Sequence, residues 1–124
     1  MKIIVTGGRD FKNRHLVERL LTALSPEILV VGDCPTGADF LAREWAIKRR
    51  LNRTDYVDLV VYDADWDTAE RAGNRNAAGP IRNAKMVKAH PDAMFLLAFP
   101  GGRGTRDCIK KAHAGGLPVL TVEV

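Results

Sequence analysis

Ala93-Met94-Phe95-Leu96-Leu97-Ala98-Phe99-Pro100-Gly101-Gly102-Arg103-Gly104-Thr105-Arg106-Asp107-Cys108-Ile109-Lys110-Lys111-Ala112 is an apolar run, a glycine-rich turn and a helical stretch in succession. Residues 93–99 are uncharged and read as a buried strand, and residues 106–112 read as a helix. A glycine turn between a strand and a helix leaves bare backbone N–H groups at the positive end of the helix dipole. That geometry suits a phosphate or another anion. Glycine is needed because a side chain would block the ligand, and because some turn positions require positive φ.

Four more apolar runs rich in β-branched residues lie outward from this unit, at Lys2–Thr6, 27–32, Asp58–Tyr62 and 118–122. Helical patterns fill the gaps between them. Leu16, Val17, Leu20, Leu21 and Leu24 form one apolar stripe, and Ala38, Leu41, Ala42, Trp45 and Ala46 form a second. Trp45 belongs to the core side of its stripe. The third connection, residues 67–90, is longer; Ala78-Gly79-Pro80 breaks it, and Pro80 suits the first position of a helix. Gly115-Gly116-Leu117-Pro118 stops the last helix. Alternating strands and helices predict an α/β fold, with a parallel five-stranded sheet covered by helices on both faces. In such sheets ligands sit beyond the carboxyl ends of the strands.

The chain has 124 residues, room for one domain spanning 1–124, and its 46% hydrophobic content excludes disorder. No stretch reads as a secretory signal or a membrane span. Cys34 and Cys108 have neither metal-ligand spacing nor a disulfide-rich context, so both are expected as reduced thiols in a cytoplasmic protein. No His, Cys, Asp or Glu spacing points to a metal, no cofactor is expected, and nothing marks His15, His90 or His113 as a ligand or base. A net charge of +4 favours anionic partners. The basic residues Lys48-Arg49-Arg50 and Lys110-Lys111 also suit solvated helix ends. Aromatic residues are few and do not interleave with them, which argues against a single-stranded nucleic-acid groove.

The segments after the strands are Thr6-Gly7-Gly8-Arg9-Asp10, Gly32-Asp33-Cys34-Pro35-Thr36-Gly37-Ala38-Asp39, Asp63-Ala64-Asp65-Trp66 and the 100–105 turn. Three of the four carry glycine and converge on one sheet edge. The G-x-G-x-x-G of dinucleotide enzymes and the Lys-Ser/Thr of a P-loop are both missing, which disfavours a nicotinamide dehydrogenase and a P-loop ATPase.

In their order and spacing these elements resemble the SLOG superfamily, which joins the Lonely Guy phosphoribohydrolases with the DNA-processing Smf proteins. The likeness is strongest to its YspA-like branch. The matching residues are Thr6 to Asp10, Gly37-Ala38-Asp39 leading into Leu41-Ala42 and Trp45-Ala46, Ala64-Asp65-Trp66, Ala72-Gly73, Arg82-Asn83-Ala84-Lys85-Met86, and Pro100 to Asp107. The resemblance implies a Rossmann-like domain with strand order 3-2-1-4-5 and a nucleotide or nucleotide-derived ligand held across the glycine loops. It implies a role in sensing, sequestering or processing that ligand. It also offers two other activities: a phosphoribohydrolase that cleaves the N-glycosidic bond of nucleoside monophosphates, and binding of single-stranded DNA.

The ligand-binding set implied is Gly7, Gly8, Arg9, Gly37, Ala38, Asp39, Trp66, Arg82, Asn83, Gly101, Gly102, Arg103, Gly104 and Thr105. Arg82 and Asp107 are the catalytic candidates if the protein is an enzyme. The Lonely Guy motif is Pro-Gly-Gly-x-Gly-Thr-x-x-Glu, with an arginine from an Arg-Lys-x-x-Met element. Arg82 and Met86 keep the second spacing, with Asn83 at the lysine position, but Cys108 stands where the first motif has glutamate. An oxocarbenium-like state needs a nearby carboxylate, and a neutral thiol does not supply one. Either Asp107, Asp39 or Asp65 brings a carboxylate from another direction, or the protein binds without that chemistry.

Several of these residues have two readings. Asp39 is a helix cap or a partner for ribose. Trp66 is a stacking surface for a base or a ring buried against the third helix. Arg9 and Arg103 pair with phosphate or simply face solvent. The connection 67–90 also carries Arg71, Arg75, Arg82, Lys85 and Lys88 and suits a surface that covers the ligand shelf or packs on a second copy. A homodimer or a dimer of dimers is therefore expected.

Overall fold

A computed structural model describes residues 1–51 and 56–123. The elements are β1 (Lys2–Thr6), α1 (Arg14–Leu24), β2 (Ile28–Gly32), α2 (Gly37–Leu51), β3 (Asp58–Tyr62), α3 (Trp66–Arg71), a single 3-10 turn at Arg75–Ala77, α4 (Ala78–Ala89), β4 (Phe95–Ala98), α5 (Arg103–Ala114) and β5 (Val119–Thr121). All strand pairings are parallel and the order is β3-β2-β1-β4-β5, as in a Rossmann-like sheet. Ile3 stands opposite Leu29 on one side and Phe95 on the other, so β1 is fully enclosed.

Period-two alternation along the strands divides the core into two layers. Ile3, Val5, Leu29, Val31, Phe95 and Leu97 face α1 and α2, where they meet Val17, Leu21, Ala38, Leu41, Ala42, Trp45 and Ala46. The intervening residues Ile4, Val30 and Leu96 face α4 and α5 and meet Met86, Val87, Cys108 and Ala112. Trp45 is buried, and its indole N–H donates to Thr22 Oγ1 at 3.1 Å. The Asn13 side chain accepts from the Leu16 N–H at 3.1 Å and starts α1.

Two boundaries differ from the sequence expectation. The third connection breaks at residues 72–74, where Gly73 takes φ +93, and Pro80 is the third residue of α4 rather than its first. Proline is tolerated there because the N–H groups of a first helical turn have no partner inside the helix. Helix α5 begins at Arg103, three residues before the stretch that reads as helix, so the glycine turn runs directly into the helix.

Strand order reverses between β1 and β4, which opens a crevice above their carboxyl ends. The turns after β1 and β4 meet there. No helix among the described residues is long and apolar enough to cross a membrane.

Candidate functional site

The turns that follow β1, β2 and β4 are stitched to one another. The Gly8 N–H donates to Pro100 O at 2.9 Å, and Gly8 O accepts from the N–H of Ala38 at 3.1 Å and of Phe11 at 3.2 Å. Thr36 Oγ1 donates to Arg9 O at 2.9 Å. Four glycines are required by this packing itself. A Cβ at Gly7 would lie 2.5 Å from the Ala38 Cβ, and one at Gly8 would lie 2.9 Å from the Gly101 Cα. A Cβ at Gly101 would strike Thr105 Oγ1. Gly37 has φ +77 and faces Gly8 O. Gly102 and Gly104 differ: a Cβ at either position would meet nothing within 4 Å. Their lack of a side chain keeps open the space in front of the α5 N-terminus. No side chain caps that terminus.

The cavity above this edge measures about 1020 Å³. Of the residues expected at the site, Gly7, Gly8, Arg9, Asp39, Trp66, Arg82, Asn83, Gly101, Gly102, Arg103, Gly104, Thr105 and Asp107 line it. Gly37 and Ala38 do not line it; they hold the Gly8 turn from behind. Asp33, Cys34, Phe11, Asn76 and Met86 also line the cavity and were not in the expected ligand-binding set. Asp33 could have been found from its place directly after β2. None of the three histidines lines the cavity.

The charged groups separate into two sets. Arg9 and Arg103 are exposed, and neither has a carboxylate partner among the described residues. They stand near the open glycines. Deeper in the cavity, Arg82 Nη1 donates to Asp33 Oδ1 at 2.9 Å and Arg82 Nε donates to Asn83 Oδ1 at 2.9 Å. Asp39 is 7% exposed. Its Oδ2 and Arg82 Nη1 both pack over Gly32, 2.7 and 2.5 Å from where a Cβ would stand, and only glycine leaves room for them. Burial pushes the Asp39 carboxyl up to about 6, against the opposing pull of the Arg82 guanidinium and the Cys34 backbone N–H. Asp39 is the third residue of α2, and its carboxylate turns back to the Cys34 N–H.

The other two candidate carboxylates are occupied. Asp107 accepts from Lys111 Nζ at 2.7 Å and Asn83 Nδ2 at 3.1 Å, and Lys111 also donates to Pro80 O. Asp65 lies outside the cavity lining and caps α3, accepting from the Thr68 N–H at 3.0 Å and Oγ1 at 2.7 Å; these bonds lower its pKa. Cys108 is fully buried between the sheet and α5, and burial pushes its thiol up to about 11, so it is a core residue and not a nucleophile. Trp66 lines the cavity, packs on Ala64, Ala69 and Ala78, and carries the Arg75 guanidinium 5.4 Å from its ring centroid.

The model of the YspA, cpYpsA-related SLOG family matches residues 1–68, which span β1 to the start of α3. The chain is also similar to the Gene 61 protein of Mycobacterium phage D29, at 34% identity over 128 residues that cover 96% of this chain and 94% of that protein. The chain belongs to the SLOG superfamily, in its YspA-like branch. The first half of this SLOG protein supplies the Gly7-Gly8 turn, Asp33 and Asp39. The Arg82 and Pro100–Thr105 side of the cavity comes from the half beyond the matched residues.

Proposed function

We propose that this SLOG protein binds a nucleotide or a nucleotide-derived molecule, with a phosphate seated at the N-terminus of α5. The observation that carries this reading is the pair Gly102 and Gly104. No internal contact demands glycine at either position, yet both line the cavity at the N-terminus of α5, which no side chain caps. Helix N-termini of this kind attract anions through unpaired N–H groups and the dipole. Arg9 and Arg103 are free to add charge-assisted bonds. A cavity of about 1020 Å³ accommodates a nucleoside phosphate. The protein would act as a sensor, a sequestering protein or a processing domain in the cytoplasm, and as a homodimer or a dimer of dimers built through the α3–α4 connection. Calorimetry against nucleoside monophosphates, ADP-ribose and cyclic nucleotides tests the ligand. Silence towards every phosphate-bearing nucleotide overturns the reading.

One observation favours a second reading, hydrolysis of the N-glycosidic bond of a nucleoside monophosphate. Among Asp39, Asp65 and Asp107, only Asp39 combines a place in the cavity with a carboxyl that takes no side-chain donor among the described residues and titrates near neutrality. Water would add to the anomeric carbon as the base leaves with a proton, yielding ribose 5-phosphate and the free base. Release of base from a monophosphate, lost in Asp39→Asn, supports it. No release from any of the common monophosphates removes it.

A further inference from the structure

The deep half of the cavity is built to accept hydrogen bonds. Asp33 stands at the end of β2 with its side chain 30% exposed, and Arg82 engages its Oδ1. Asp39 lies beyond Gly32, and no side chain among the described residues donates to it. An ionised carboxylate offers about four acceptor positions and no donor. Asp33 and Asp39 therefore keep lone pairs that Arg82 does not use. Asp33 and Asn83 take two of the five N–H donors of Arg82 and fix its orientation, and its charge offsets the carboxylates around it. This half of the cavity therefore offers free acceptors to a group that presents donors.

We propose that Asp33 and Asp39, held apart by Arg82, grip the vicinal 2- and 3-hydroxyls of a ribose whose 5-phosphate sits at the α5 N-terminus. Arg82 is then a positioning residue, not a phosphate ligand. This rests on the phosphate reading above and extends it to the sugar. Three features support it. Two acceptors flank one cation, which matches two neighbouring hydroxyls. The acceptors share one cavity with Arg9, Arg103 and the open glycines, as the two ends of a sugar phosphate require. In dinucleotide enzymes of related topology, a carboxylate about 20 residues after the glycine turn takes the ribose hydroxyl, and Asp33 follows Gly8 at comparable spacing.

The test measures binding of inorganic phosphate, ribose 5-phosphate, 2-deoxyribose 5-phosphate and arabinose 5-phosphate by calorimetry. The wild-type protein, Asp33→Ala and Asp39→Asn are compared, with folding checked by circular dichroism. Ribose 5-phosphate is expected to bind at least about tenfold more tightly than the deoxy and arabino sugars, the worth of one hydroxyl bonded to a charged acceptor. In both variants that preference shrinks to about threefold or less, and phosphate itself binds at least as tightly because a negative charge has gone. If all three sugar phosphates and phosphate bind the wild type alike, the phosphate reading stands and the diol grip is wrong. A preference that survives in both variants assigns the hydroxyls to other residues and also overturns it. If not even phosphate binds, the phosphate reading fails and the sugar inference falls with it.

Discussion

Replacing Asp39 by asparagine should stabilise the protein at neutral pH and make little difference near pH 4. The folded carboxyl titrates at about 6, against 3.8 for a solvated aspartate. The folded state therefore binds this proton more tightly than the unfolded chain does. Between those two values the folded protein holds more protons, so its stability falls as the pH rises. Above about pH 6 the loss is complete and amounts to roughly 3 kcal/mol, at about 1.4 kcal/mol for each pH unit. That is a large share of the roughly 5–15 kcal/mol that holds a domain together. Asparagine copies the shape of the protonated acid and does not titrate. Urea unfolding of both proteins from pH 4 to pH 8 reads the difference directly. With a slope of about 1–3 kcal/mol/M, the midpoints should lie about 1–3 M apart at pH 8 and nearly coincide at pH 4. A gap that does not change with pH, or a wild type that is the more stable protein at pH 8, would refute the reasoning.

Gly104→Ala should raise fold stability by about 0.5–1 kcal/mol, because a Cβ there meets nothing and alanine is the better helix former. The same change should weaken nucleotide binding, since the methyl fills the space before the helix N-terminus; a variant that melts higher and binds undiminished contradicts the assignment. Gly37→Ala should act the opposite way and destabilise the ligand-free protein by about 2 kcal/mol or more, because φ is +77 and Gly8 O occupies the space. An unchanged thermal melt would show that the turns after β1 and β2 can separate. Light scattering at micromolar concentration should report at least twice the 13.7 kDa chain mass, and a monomer with and without nucleotide would end the dimer proposal.

Much of the fold is legible before any coordinates. The β-branched runs and the stripes on α1 and α2 are local periodicities; those of β1, β2, β4, α1 and α2 survive as buried faces, whereas the edge strands β3 and β5 are only partly covered. Helix boundaries were harder to read. Nothing in Arg103-Gly104-Thr105 signals a helical first turn, because Gly104 is a poor helix former and no side chain caps the end. The 72–74 break was masked by Pro80, a stronger textual stop that the first turn of α4 absorbs without cost.

The site divides along the same physical line. Glycine loops after parallel strands, and an arginine at Lonely Guy spacing, can be read from residue order because strand ends share one edge in any sheet of this kind. Which glycines exist for packing and which for open space depends on neighbours from other loops, and no spacing reveals it. The pairing of Arg82 with Asp33 joins residues 49 positions apart. It joins an arginine of the expected ligand-binding set to an aspartate that no local spacing pairs with it. Asp39, Asp65 and Asp107 are equivalent letters in the chain. Burial beside Gly32, capping of α3 and capture by Lys111 give them three different fates. Periodicity is a property of the nearest few residues and is written in their order; desolvation and charge pairing depend on what the fold brings from afar, and only the folded chain decides them.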